Sequence, residues 1–195
     1  MTPLESGATF LREFVRRPSQ IGAVAPSSDH LALAMVEELD WETARVVVEC
    51  GPGTGAFTRR ILERLRPDAR FFAVEVNEHC ARALQRRHPD VAVHRACVSD
   101  LPAICEGAGL PGVDVVVSGL PWAAFGEEGQ ARFLGAIHEA LAPGGRFATF
   151  AYSHAARLPA GQRFRRLLTG TFAEVERSPI VWRNLPPAFV YRCRK

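Results

Sequence analysis

Lysine is almost missing from this chain. Lys195 stands alone among 24 basic residues, so the positive charge is carried by arginine, whose planar guanidinium suits paired oxygens. The five cysteines, Cys50, Cys80, Cys97, Cys105 and Cys193, form no Cys-x-x-Cys pair and are odd in number. That argues against a disulfide framework and for reduced thiols in a cytoplasm. The six histidines lack a His-Glu-x-x-His spacing, and no Ser-His-Asp pattern lies on a nucleophile elbow. These absences argue against a metal enzyme and against a serine hydrolase. No apolar run approaches the roughly 20 residues that span a bilayer. Met1 to Gly7 lacks the basic-then-apolar pattern of a secretory signal. No glycine-rich turn runs into Gly-Lys-Ser or Gly-Lys-Thr, which removes the phosphate-gripping loop of nucleotide triphosphatases.

What is present is an ordinary core composition over 195 residues, with 47% hydrophobic and 23% charged. A chain of this length buries one substantial core, and residues 1–195 read as a single domain with 1–40 as an amino-terminal helical cap. Strand patterns near 45–50, 70–75, 91–95, 113–118 and 145–151 alternate with helical patterns near 56–66, 78–88 and 127–142. Such βα alternation predicts a doubly wound, mostly parallel α/β sheet. Ser27 or Ser28 is placed to cap a further helix from His30 to Leu39.

The run Val46-Val-Val-Glu-Cys-Gly-Pro-Gly-Thr-Gly55 carries a buried strand into a glycine-rich turn and then into a helix. Gly51, Gly53 and Gly55 let the backbone approach a ligand that a Cβ would push away, and Glu49 sets a carboxylate beside this cradle. About twenty residues on, Phe71-Phe-Ala-Val-Glu75 ends a second strand in an acid, where such folds bind ribose hydroxyls by charge-assisted bonds. Glu75 takes that role, with Val76 beside it. The third position is less regular. Val98, Ser99 and Asp100 are the candidates for adenine contact, and Asp100 reads equally as the cap of the helix that follows.

An acid followed by Gly-x-Gly-x-Gly resembles the S-adenosylmethionine (SAM) turn of class I methyltransferases, and this likeness implies that Glu49 holds the cationic methionine end. In those enzymes the acceptor atom sits at the end of the fourth strand, here Ser118-Gly-Leu-Pro-Trp122. Ser118 is then a cofactor contact, Leu120 an acceptor contact and Pro121 part of the catalytic loop. Gly119 stands where rRNA adenine dimethyltransferases have Asn, so the grip on an adenine amino group is weakened. Trp122 either offers a face to a developing ammonium or fills the core. Cys97 stands where relatives carry an acid.

Phe10, Leu11, Phe14 and Val15 fall at helical spacing beside Arg12, Arg16 and Arg17. This amphipathic segment either lies in a membrane interface or covers the cofactor as a lid. Residues 157–195 carry nine basic groups against Glu174 and Glu176, a local charge of +7 within a net +3. A basic carboxy-terminal face suits phosphate-bearing partners, lipid headgroups or nucleic acid, although arginine-rich usage also reflects genome composition.

Phe10-Leu11 with Pro18, Gly22-Ala-Val-Ala-Pro-Ser-Ser28, the Glu49–Gly55 turn, Ser118-Gly-Leu-Pro121 and Val181-Trp-Arg-Asn-Leu-Pro-Pro-Ala-Phe-Val-Tyr191 together resemble the bacterial phospholipid N-methyltransferases of the Rhodobacter type. The resemblance spans nearly the whole chain, with Arg183-Asn-Leu-Pro-Pro187 its most specific part. It implies a Rossmann-like fold with a seven-stranded sheet, SAM as cofactor and phosphatidylethanolamine as acceptor, at an anionic phospholipid surface on the inner membrane face. A soluble amine or an RNA adenine is the alternative acceptor. Phe10, Arg183 and Asn184 become acceptor-binding candidates, with Arg183 for the lipid phosphate or for an ion pair. Among Tyr152, His154 and Tyr191, Tyr152 is the expected base for the ammonium proton.

Overall fold

The computed structural model describes residues 27–195. Phe10 and the amphipathic segment around it lie outside the described residues. The first described helix, α1 (Asp29–Val36), is capped by Ser28, whose Oγ accepts from Leu31 N at 3.2 Å. This is the cap the sequence predicts, on a helix that ends before Leu39.

The chain then alternates strand and helix. β1 (Val46–Cys50), α2 (Thr58–Leu62), β2 (Arg70–Val74), α3 (Glu78–Arg87), β3 (Ala92–His94), α4 (Leu101–Gly107), β4 (Val113–Ser118), α5 (Glu127–Ala140) and β5 (Leu141–Tyr152) build the parallel part. After α6 (Pro159–Thr171) come β6 (Glu174–Arg177) and β7 (Ala188–Arg194), which returns antiparallel between β5 and β6. Among the described residues the sheet has seven strands in the order β3-β2-β1-β4-β5-β7-β6. The expected Rossmann-like, mostly parallel α/β architecture is what the chain adopts.

β1 is buried along its whole length, because helices cover both faces of the sheet. On one face Val47, Val115, Val117, Ala148 and Val190 pack under α1 and α2. On the other, Val48, Val116, Phe147, Phe189 and Tyr191 pack under α4, α5 and α6. Strand order reverses between β1 and β4, and in such sheets the crevice at the carboxyl ends of the strands on either side of the reversal is where a ligand fits.

Two elements differ from the pattern-based expectation. The helical pattern over 127–142 stops at Ala140, and β5 starts at Leu141. Leu141 pairs with Val113, while Arg146 pairs with Val115, so the intervening Ala142–Gly145 forms an irregularity that the Pro-Gly-Gly sequence permits. The helix expected over 56–66 contracts to Thr58–Leu62, with Pro67 beyond it.

Candidate cofactor and acceptor site

The site grows from the carboxyl end of β1. Gly51 and Gly53 have φ of +69° and +55°, a region that side chains rarely enter. A Cβ on Gly51 would sit 2.7 Å from Leu120 Cδ2, whereas one on Gly53 would meet nothing within 4 Å. The first glycine thus lets the β4 loop close on the turn, and the second faces open space where a ligand fits. Leu120, expected at the acceptor, is 3% exposed and packs against Gly51 as the floor of the crevice.

Glu49 lies at the heart of this turn. It is fully buried, and its Oε2 accepts from Thr58 Oγ1 at 2.6 Å, while Oε1 has no partner among the described residues. A buried carboxylate oxygen without a donor is costly unless a ligand supplies one. The cationic amino group of SAM has that chemistry. Burial pushes the Glu49 carboxyl up to about 8, Thr58 opposing the shift and Glu75 adding to it.

The folded apoprotein prefers protonated Glu49 more than the unfolded chain does, so this group's contribution to stability is complete below about 4.5 and fades as pH rises through about 8. A cationic ligand needs the ionised form. SAM affinity is expected to rise by up to about tenfold per unit from pH 6 toward 8 and then to level off. Calorimetry across that range checks it, and Glu49→Gln should flatten the profile.

Glu75 joins two turns. Its Oε2 accepts from Gly53 N at 3.1 Å and its Oε1 from Asn77 N at 2.8 Å. Burial raises its pKa, and the backbone donors oppose the rise. Each oxygen keeps acceptor capacity for a ribose hydroxyl. Val76 is partly buried against the core beside it. Asn77 also caps α3 through its side chain, which accepts from Cys80 N at 3.0 Å.

At the third position Val98 is buried, Ser99 is half-buried and Asp100 is exposed. Asp100 Oδ2 accepts from Cys97 N at 3.2 Å and so closes the loop in front of α4. The carboxylate serves the turn before it, and it makes no side-chain cap bond to α4, unlike the capping alternative.

The β4 loop corrects two expectations. Trp122 is 2% exposed, with its ring stacked on Phe164 at 4.5 Å and edge-on to Phe125 and Phe147. It is therefore a core residue, and its ring does not stand open to an ammonium. Pro121 opens the short 3₁₀ turn Trp122–Ala124. Ser118 is also fully buried. Its Oγ accepts from Leu120 N at 3.3 Å and its carbonyl accepts from Thr149 Oγ1 at 3.0 Å, so it shapes the loop.

Tyr152 ends β5 on the face of Phe150, with its ring stacked on exposed His154 at 5.9 Å. Burial raises its phenol above the ordinary value, so it stays protonated at neutral pH. That shift disfavours the phenolate which its expected role as the base would require. Asn184 is corrected too. It is 2% exposed, accepts from Ser28 N at 2.8 Å and donates to Pro186 O at 2.7 Å, so it fastens the β6–β7 connection to the start of α1. Arg183 is exposed and makes no ion pair among the described residues.

Sequence reasoning missed Thr58 and Gln130. Thr58 lies nine residues after Glu49, at the first position of the helix that follows the cradle, and that proximity was the available signal. Fully buried Gln130 on α5 donates to the carbonyls of Trp122 at 2.8 Å and Ala160 at 3.2 Å, holding the β4 loop to α6, and no local pattern announces it.

An open-faced glycine turn, an orphaned buried carboxylate oxygen and a second acid at the end of β2, set on this sheet order, define a class I SAM-dependent methyltransferase. A methyltransferase-domain family model matches residues 47–145, and the chain belongs to that family. It is 37% identical to an ornithine lipid N-methyltransferase of Singulisphaera acidiphila, over 95% of this chain and 94% of that one. It is 31% identical to ribosomal RNA small subunit methyltransferase A of Thermotoga neapolitana, over 50% of this chain and 43% of the relative. Among solved structures, magnesium protoporphyrin IX methyltransferase from Synechocystis, with SAM bound, has the same fold at a TM-score of 0.67 and 11% identity, covering 97% of each chain.

Proposed function

We propose that this protein transfers methyl groups from SAM to the amine of a membrane lipid. The observation that carries this reading is the 37% identity, over nearly the full length of both chains, to a lipid N-methyltransferase. When bound, SAM supplies an electrophilic methyl on a sulfonium. The chain's own residues then do the rest by positioning. Glu49 and the Gly51–Gly55 turn hold the methionine end, Glu75 fixes the ribose, and the Ser118–Pro121 loop walls the crevice beside the acceptor. An ammonium must surrender its proton to water before the loop region closes around it. Tyr152, protonated at the end of β5, then accepts through its oxygen from an N–H of the neutral amine, which leaves the nitrogen lone pair free to face the methyl.

An ornithine-lipid amine is the first candidate acceptor because of that relative. The phosphatidylethanolamine headgroup is the second, supported by the exposed Arg183 guanidinium, which can grip two phosphate oxygens. RNA adenine is disfavoured because position 119 has no room for the Asn side chain that grips an adenine amino group in the adenine enzymes. A Cβ on Gly119, where the adenine enzymes carry Asn, would lie 2.5 Å from the Gly51 carbonyl oxygen. Methyl-labelled SAM, incubated in parallel with ornithine lipid, phosphatidylethanolamine, RNA and soluble amines, tests the proposal. Label should migrate with one of the two lipids on chromatography. Label in RNA or soluble amine alone would overturn it.

A further inference from the structure

Two large apolar side chains stand out of the protein on one connection. Trp182 is 73% exposed and Leu185 is 76% exposed, both between β6 and β7. A monomeric surface rarely presents large apolar residues together without a use. The loop that carries them is also held in place. Val181 N donates to Ala188 O at 2.7 Å, Asn184 N to Val181 O at 3.2 Å, and the Asn184 side chain bridges Ser28 and Pro186. Their exposure is thus imposed by a fastened backbone.

The loop has a defined position. Ala188 pairs with Tyr152, and Ser153 N donates to Pro187 O at 2.8 Å, so the connection leaves the sheet at the carboxyl end of β5. The cofactor turn leaves β1 at the same end of the sheet. Leu158, 55% exposed, follows β5 at this end as well. Between the two apolar side chains Arg183 points a guanidinium outward with no acidic partner among the described residues.

From this geometry, and resting on the lipid-amine reading, we infer that Trp182, Arg183 and Leu185 form a docking tip that enters the interface of an anionic bilayer. Tryptophan belongs at the headgroup level, where its ring is half apolar and its N–H finds water, while leucine reaches the acyl boundary. Arginine between them meets a lipid phosphate or carboxylate. Because the tip is already ordered, insertion costs little conformational entropy. It sets the open end of the crevice against the membrane, so a lipid amine reaches the methyl group without the lipid leaving the bilayer.

The test uses the full chain with vesicles of phosphatidylglycerol and phosphatidylcholine, and with vesicles of phosphatidylcholine alone. Trp182→Ser with Leu185→Ser should reduce partitioning onto anionic vesicles by roughly tenfold or more, on the scale of withdrawing two apolar side chains from an apolar medium. SAM affinity of that variant should match the parent. Arg183→Glu should reduce binding to the anionic vesicles alone. Lipids brominated along the acyl chain should quench the parent's fluorescence, and Trp182→Phe should abolish that quenching, since Trp122 is buried and Trp41 Nε1 is tied to Val36 O.

Wild-type flotation of the double variant, with SAM affinity intact, would overturn the proposal. So would an effect confined to oligomeric state or thermal stability, which would assign the patch to a second copy or to residues 1–26. If the double variant fails to bind SAM, its fold is lost, and Arg183→Glu and Trp182→Phe decide in its place. Docking without methyl transfer to any lipid would sink the acceptor reading alone. Transfer to lipid with unchanged flotation of the variants would sink the docking tip alone.

Discussion

Replacing Glu75 with alanine is expected to weaken SAM binding by roughly 1.5–3 kcal/mol, from about tenfold to more than a hundredfold. The carboxylate does two things at once. It accepts from Gly53 N and Asn77 N, and it keeps acceptor capacity for the ribose. Alanine therefore removes the ligand's partner and frees the cradle's second glycine from β2. Glu75→Gln separates these roles, because an amide oxygen still accepts one backbone bond but adds no charge. Its loss should be smaller than that of alanine. Titration calorimetry on folded variants measures both, and unchanged affinity in Glu75→Ala would remove this residue from the cofactor site.

Gly119→Ala is expected to damage both the fold and cofactor binding, even though it adds one methyl. The new Cβ would lie 2.5 Å from the Gly51 carbonyl oxygen and 3.5 Å from Phe57. The first neighbour is backbone, so it yields only by displacing the cofactor turn itself. Overpacking of this kind costs about 1–3 kcal/mol. Gly126, at the amino-terminal cap of α5, is the control, since a Cβ there meets nothing within 4 Å. Gly126→Ala should stay within about 0.5 kcal/mol of the parent. If thermal denaturation shows the two variants equally stable, the β4 loop does not press on the turn as described.

That steric fact also explains an oddity of the sequence. Glycine at the position where adenine methyltransferases carry Asn reads, from sequence, as the loss of a grip on the substrate. The structure gives it a positive reason: two backbone segments touch there, leaving no room for any side chain.

The candidate cofactor half of the site was legible as a pattern because its signals are local. Glu49, the glycine turn and Glu75 announce themselves by spacing along consecutive strands, and the orphaned Glu49 oxygen is where the pattern puts it. The acceptor half was misread for the opposite reason. Asn184 looks like a binding residue within Asn-Leu-Pro-Pro, yet its side-chain oxygen serves Ser28, 156 positions away. Trp122 looks available at the end of β4 until α6 delivers Phe164 against its face. Tyr152 ends β5 as the pattern expects, and burial raises a phenol that is already protonated at neutral pH. Such contacts depend on elements with weak patterns. β6 is four residues long, largely exposed and carries charges at Glu174, Glu176 and Arg177, so no strand alternation marks it.

The position of β7 constrains the order in which this molecule can be assembled. It follows β6 in sequence, yet it lies inside the sheet, with Arg146–Tyr152 of β5 on one side and β6 on the other. While a ribosome is still making it, β6 has no neighbour in the sheet, and that side of β5 offers a row of unpaired backbone groups. The nucleotide-binding half, β1 to β4, already has all its strand partners among earlier residues. A nascent chain can therefore pair the strands of its cofactor cradle before β7 is made. Arg192 then locks the finished product, donating from β7 to the carbonyls of Ala34 and Glu37 at the end of α1. Two segments more than 150 positions apart are thereby joined.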